Sequence, residues 1–387
     1  MNIQQQVQAV YQSSSGWRKR FDAYGVSPAE IETKEDLRRL PVLQKEDLPA
    51  LQKEAIPFAN LTAVSLKDIA RVFMSPGPIY EPQGMEEDYW GFAEALQGAR
   101  FKTGDLVLNT FSYHLSPAGF MFDSALRKLG CTVIPAGVGN IELQLEMMQE
   151  LPISGYVGTP SYLIKLLSEA EQRGYTHIAP AKAFFTAEKI TPQMEVYFVQ
   201  KQIHFTEGYG TAELGCIAYS AAGKEGLQVH SGMIVDICDP HTGQPVVAGE
   251  MGEIVVTRFH ETYPLLRFGT GDLSCWEEEG KSLRGIFGRT NDMVKVKGMF
   301  VHYKQLEALL REREDVAYFQ VVITNEKLQD VLTIYAEPNG LLDEHALRAA
   351  VQEVIRIRPR IAAVSKGTIN REEKQWIDKR EGLYMKA

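Results

Sequence analysis

A mixed α/β chain is predicted, with a large N-terminal domain of α/β layers plus a β-rich subdomain, followed by a small α+β domain. Three features of the sequence predict it. Apolar strand-like runs alternate with helix-like segments between residues 85 and 173, the texture turns β-rich after about residue 225, and short strands and helices alternate again from residue 292 onward. At 387 residues the chain exceeds the size at which one hydrophobic core usually keeps growing, so two domains, 1–290 and 291–387, are expected.

Taken in order, Ala29 to Leu51 reads as two short, charged, helix-like segments interrupted by Pro41. Leu106-Val107-Leu108, Thr132–Pro135 and Gly155–Gly158 read as strands, and Met85–Ala99, Ala118–Leu129 and Ser161–Arg173 as helices. Their alternation indicates a largely parallel sheet. Met233–Cys238, Gly252–Thr257 and Ser282–Phe287 are strand-like, with Asp239-Pro240-His241-Thr242-Gly243 as a turn between the first two. In the last segment Val316–Thr324 and Val331–Ala336 read as strands, Tyr303–Arg313 and Glu344–Ile357 as helices.

Composition narrows the function. Hydrophobic residues make up 44% and charged residues 24%, which is ordinary for a globular protein. A net charge of −9 argues against nucleic acid or an anionic membrane as a partner. The four cysteines, Cys131, Cys216, Cys238 and Cys275, lack paired metal-site spacings and read as buried free thiols. The N-terminus lacks the basic and apolar blocks of a signal peptide, and no run of about 18 apolar residues suggests a membrane span. A cytoplasmic location is expected.

Three segments carry chemistry. Phe205-Thr206-Glu207-Gly208-Tyr209-Gly210-Thr211-Ala212-Glu213 combines glycines that permit close backbone approach with a carboxylate able to hold Mg²⁺ beside phosphate oxygens; alone, it also reads as a turn. Arg267-Phe268-Gly269-Thr270-Gly271-Asp272-Leu273 presents a glycine-flanked Asp that could accept hydrogen bonds from a ribose diol, or simply turn the chain. Gly288-Arg289-Thr290-Asn291-Asp292-Met293-Val294-Lys295-Val296-Lys297-Gly298 offers an arginine for phosphate or ribose and a polar pair for a hinge, or a solvated basic hairpin.

In this order the three segments resemble the adenylate-forming superfamily of acyl-CoA synthetases, above all its phenylacetate–CoA ligase-like branch. Leu40-Pro41 with Lys45-Glu46-Asp47-Leu48, Gly158-Thr159-Pro160-Ser161-Tyr162, Ala187-Glu188, Asp236–Pro240 and Gly252–Thr257 extend the likeness over nearly the whole chain. The resemblance implies an adenylating N-terminal domain, a hinge at Asn291 and a mobile C-terminal domain. It further implies that Glu213 coordinates Mg²⁺, that Tyr209 and Gly210 border the adenine and acyl pocket, that Ala187 and Glu188 line the adenine side, and that Asp272 holds the ribose. Arg289 would contact ribose or phosphate, and Gly298 would border the pantetheine arm of CoA. Phe111, Tyr113 and Tyr162 are candidates for the acyl pocket, because aromatic walls suit an aryl acid; core packing explains them equally well.

Three departures from the family pattern fall on the phosphate side. Where a Ser/Thr/Gly-rich loop should wrap the ATP phosphates, the chain reads Ser75-Pro76-Gly77-Pro78-Ile79-Tyr80-Glu81-Pro82; three prolines remove amide donors and Glu81 would repel phosphate. Ala212 replaces the hydroxyl residue before the motif glutamate, leaving Thr211 one position earlier. The C-terminal catalytic lysine falls at Lys374, with Lys366 as the alternative, in a segment shorter than the family's. The resemblance thus implies a ligase for a small, aryl-type carboxylic acid using ATP, Mg²⁺ and CoA, and leaves a homodimer open. Transfer of the acyl group to an amine, amino acid or carrier protein, and a non-catalytic nucleotide- or acyl-binding homologue, are the alternatives.

Overall fold

The computed structural model describes residues 2–75, 78–175, 178–290, 293–296, 299–326, 329–355 and 357–380, in two units, Met1–Phe287 and Gly288–Ala387.

The first unit begins with α1 (Ile3–Ser13) and α2 (Ser15–Ala23), a two-residue strand β1 (Leu43–Gln44) and α3 (Leu48–Glu54). Of the helical stretch expected over Ala29–Leu51, Leu48–Leu51 lies in α3, and the rest holds only single 3₁₀ turns, at Pro28–Glu30, Asp36–Arg39 and Lys45–Asp47. Pro41 interrupts the segment, and the Asp36 carboxylate accepts the amides of Glu32 and Thr33, turning the chain instead of extending a helix. A hairpin follows, β2 (Arg71–Ser75) with β3 (Ile79–Gln83).

The central sheet contains β4 (Leu106–Asn109), β5 (Thr132–Pro135), β6 (Gly155–Gly158), β7 (Lys182–Phe185) and β8 (His204–Thr211), parallel in the spatial order β5-β4-β6-β7-β8. Its helices are α4 (Phe92–Gly98), α5 (Ala118–Lys128), α6 (Ile141–Glu150), α7 (Pro160–Gln172) and α8 (Pro192–Gln200). Strand residues alternate between two cores: Val107, Val157 and Phe184 face α4 and α5, whereas Leu108, Tyr156 and Phe185 face α6, α7 and α8. Burial on both faces is why these strands read as unbroken apolar runs. The helix expected at Met85–Ala99 starts only at Phe92. Gly91 takes the left-handed conformation (φ 74°), and the Asp88 carboxylate accepts the amides of Phe92 and Ala93 at 3.0 Å each.

Beyond β8 the sheet continues antiparallel through β9 (Gly215–Ser220), β10 (Leu227–Val229), β15 (Ser282–Leu283) and β14 (Trp276–Glu278). The strand expected over Ser282–Phe287 stops at Leu283, shortly before Gly285 at φ 144°. A second sheet pairs β11 (Ile234–Cys238), β12 (Gly252–Arg258) and β13 (Leu265–Ser274) antiparallel, with β1 joined to β13 in parallel. It shares a third core with α1 and α2, built on Val7, Trp17, Phe21, Ile254, Leu265 and Phe268.

The second unit has its own core. Antiparallel strands Val316–Glu326 and Gln329–Pro338 are flanked in parallel by Trp376–Asp378 and Arg360–Ala363. Helices Tyr303–Arg311 and Glu344–Ile355 contribute Leu306, Leu310, Leu347 and Val351 to that core. All four cysteines are free and buried, and no helix among the described residues is long and apolar enough to cross a membrane.

Candidate active site

β4 has β5 on one side and β6 on the other, so successive connections leave it in opposite directions. Open α/β sheets hold ligands outside the carboxyl ends of their strands at such a switch point. There, the Thr110 hydroxyl donates to Tyr156 Oη (2.9 Å), which donates to the Thr159 carbonyl (3.1 Å). A Cβ on Gly158 would lie 2.1 Å from Thr110 Oγ1, so only glycine fits between the two strand ends.

Two predicted residues follow β7. Ala187 has φ 69°, a left-handed conformation that costs a residue with a Cβ roughly 1–2 kcal/mol. Glu188 accepts the hydroxyl (2.9 Å) and amide (3.3 Å) of Ser161 in the first turn of α7. Both Ala187 and Glu188 are exposed.

The Tyr-Gly-Thr segment is a strand rather than a turn, with a register shift between Tyr209 and Gly210 against β9. Tyr209 is buried and its hydroxyl donates to Asp272 Oδ2 at 2.9 Å, joining two motifs 63 residues apart. Burial, and then the Asp272 charge, holds the Tyr209 phenol well above its ordinary range. Asp272 lies within β13, half-buried, its amide donating to Thr270 Oγ1 at 3.1 Å. Gly210 passes so near the Gly215 carbonyl that a Cβ would lie 2.3 Å from it. The Thr211 hydroxyl accepts the Leu214 amide at 3.2 Å, which fixes the turn into β9.

Glu213 follows this strand, its side chain fully buried. Lys45 Nζ lies 2.9 Å from its Oε1 and hydrogen-bonds its Oε2 at 3.2 Å. Glu81, on β3, is also buried and accepts the Ser75 hydroxyl at 2.5 Å. Burial first, and then the Glu213 charge, pushes the Glu81 carboxyl up to about 8. Sequence reasoning noticed Glu81 only as a repulsive charge in a loop and quoted Lys45 only within a family likeness, without a role. A lone lysine after Leu43-Gln44 carries no local signal, and it reaches Glu213 only because β1 docks on β13, with Gln44 opposite Gly269.

Mg²⁺, implied at Glu213 by the resemblance, does not fit the residues present. Mg²⁺ keeps several waters in an octahedral shell, whereas this carboxylate is fully buried and an ammonium already lies against both its oxygens. No group of three or more His, Cys, Asp or Glu side chains among the described residues is placed to hold a metal.

The aromatic candidates sit at the ends of β4 and β6. Phe111 is buried and stacks on Phe122 at 4.9 Å. The Tyr113 hydroxyl accepts from Asn109 Nδ2 at 2.8 Å, and that of Tyr162 lies 3.1 Å from the Gly139 carbonyl and 3.0 Å from Gln144 Oε1. Arg289 and Lys374 belong to the second unit. Both are exposed, and the Lys374 carbonyl accepts from Gln320 Nε2 at 3.0 Å. Asn291 and Gly298 lie outside the described residues. Of the predicted set, Tyr209, Asp272 and Glu213 are thus brought together within the first unit.

A separate cavity of about 640 Å³ is lined by Asp88, Glu94, Lys128, His230, Arg258 and His260, among others, and by none of the motif residues.

Residues 91–260 match the family described as AMP-binding enzyme. The phenylacetate-coenzyme A ligase of Thermus thermophilus is 29% identical over 370 residues, 89% of this chain and 78% of that protein. That of Aromatoleum evansii is 28% identical over 356 residues, 86% and 79% respectively. A crystal structure of 2-hydroxyisobutyryl-CoA ligase in an open conformation, with 2-HIB-AMP and CoA, superposes with a TM-score of 0.85 over 97% of this chain and 89% of its own, at 22% identity. The α/β layers and the β-rich sheet give the chain the fold of that CoA ligase, and residues 91–260 are similar to AMP-binding enzymes. In sequence the chain is similar to phenylacetate-coenzyme A ligases over most of its length.

Proposed function

We propose that this chain activates a small carboxylic acid, of aryl type, with ATP and transfers the acyl group to CoA. In the first step a carboxylate oxygen attacks the α-phosphorus, forming the acyl–phosphate bond as pyrophosphate leaves. In the second the CoA thiolate attacks the acyl carbon and AMP leaves. The observation that carries the reading is the Tyr209–Asp272 hydrogen bond of 2.9 Å. It sets a carboxylate suited to a ribose diol beside a tyrosine whose ring would border the adenine and acyl groups.

In this reading Ala187, Glu188 and Gly210 line the nucleotide, Thr211 stands nearest the α-phosphate, and Phe111, Tyr113 and Tyr162 supply the aromatic wall that favours an aryl acid. The chain from Asn291 onward is the moving domain. Arg289, just before that hinge, serves ribose or phosphate, and the moving domain carries Gly298 beside the pantetheine path and Lys374 to stabilise charge during adenylation. Mg²⁺ enters with ATP. ATP–pyrophosphate exchange over a panel of aryl and short aliphatic acids tests the reading. Exchange should peak with an aryl acid, fall roughly tenfold to a hundredfold in Asp272→Ala, and be lost in Lys374→Ala. Exchange indifferent to both substitutions sinks the assignment of these residues.

The buried Glu81 in place of a phosphate-wrapping loop favours one second reading, nucleotide binding without turnover. It predicts AMP affinity by calorimetry with no exchange on any acid. Product analysis with CoA against amine acceptors decides the acyl acceptor.

A further inference from the structure

The phosphate side of the site holds a closed set of charges. Lys45 is the first residue of the 3₁₀ turn after β1. Its position is fixed by the pairing of Gln44 with Gly269 and by Gln44 Nε2 donating to Glu253 Oε2 at 3.1 Å. Glu253 Oε1 in turn accepts the Gly271 amide at 2.9 Å, tying β1 to the strand that carries Asp272. From there Lys45 reaches Glu213, with 24% of its own side chain exposed against 0% for the carboxylate. Glu81, at 1% exposure, has Oε1 on the Ser75 hydroxyl and Oε2 without a hydrogen-bond partner among the described residues, and its carboxyl feels the charges of Glu213 and Lys45.

Two carboxylates and one ammonium would leave one net negative charge in a buried site, and burial together with the Glu213 charge holds the Glu81 carboxyl above its ordinary range. Keeping a proton on Glu81 balances the set at zero. A divalent ion would have to expel both the ammonium and that proton, and would find no third protein ligand among the described residues.

We propose that Lys45 takes the place of a protein-held divalent ion at Glu213, so that the described residues offer no metal site of their own and Mg²⁺ comes only as the companion of ATP. Lys45 is then a positioning residue: its ammonium, against both carboxylate oxygens, fixes the Glu213 side chain, whose charge the Tyr209 phenol feels. The inference rests on the reading that Glu213 belongs to the nucleotide site.

Mn²⁺ retention by the full chain, followed by electron paramagnetic resonance without nucleotide, tests it. Wild type and Glu213→Gln should titrate alike. Lys45→Met should gain about one site per chain, at least tenfold tighter than any in wild type, and Lys45→Met/Glu213→Gln should lose it. A wild-type site that Glu213→Gln abolishes overturns the proposal, as does a folded Lys45→Met indistinguishable from wild type. Should Lys45→Met lose its cooperative unfolding transition, the comparison of wild type with Glu213→Gln decides by itself. Nucleotide turnover is not read in this assay, so failure here leaves the ligase reading standing, and absent AMP affinity would sink that reading without touching this one.

Discussion

Glu81 shows how far one residue's chemistry depends on its surroundings. Its carboxyl is pushed up to about 8, by burial and by Glu213, with Lys45 acting in the opposite sense. The unfolded chain ionises near the ordinary glutamate value, so the unfolded state loses its proton first. The stability associated with protonated Glu81 is complete below about pH 4.3 and declines as pH rises toward 8. The slope is at most about 1.4 kcal/mol per pH unit. Glu81→Gln, which cannot ionise, should therefore gain on wild type across this interval and hold a constant margin above it. Urea denaturation from pH 5 to 9 checks this, and a margin independent of pH would refute it. The sequence displayed Glu81 and Glu213 plainly, but not their proximity. Residues 132 positions apart meet only once the β2–β3 hairpin is packed.

Among the elements, the parallel sheet was the most legible. Val107-Leu108, Tyr156-Val157 and Phe184-Phe185 each send one side chain to each of two cores, and an apolar run bounded by polar residues announces that arrangement. Helices α5 and α7 begin and end within about a residue of expectation, α7 because Thr159 caps it and Pro160 opens it. Segments ordered by side-chain hydrogen bonds to the backbone were not legible, as at Asp36 and Asp88. Nor was the strand character of Phe205–Thr211, whose glycines resemble a turn until β9 supplies the partner. At the end of β6 the fit is tight enough to test. Gly158→Ala would bring a methyl to 2.1 Å from Thr110 Oγ1 and 2.3 Å from Tyr156 Oη. It should cost about 1–3 kcal/mol in urea denaturation and weaken AMP binding together with stability. Full stability in this variant would mean the strand ends are looser than the distances indicate.

At the scale of the molecule, the two units have separate cores, and every side chain in the Tyr209, Asp272, Glu213, Lys45 and Glu81 set belongs to the first. A chain ending at Phe287 should accordingly unfold in a cooperative transition and bind AMP, while forming no thioester because Lys374 is absent. Loss of AMP binding in a folded truncation would place an essential nucleotide contact beyond residue 287. The sequence by itself determined the class of architecture, the order of motifs and the residue types able to meet a ribose and an adenine, since periodicity and local chemistry are properties of neighbouring residues. Only the tertiary structure decided which charges face one another. The pairing of Lys45 with Glu213 and the burial of Glu81 arise from contacts between distant segments, where the loss of water, rather than residue type, sets the charge each group carries.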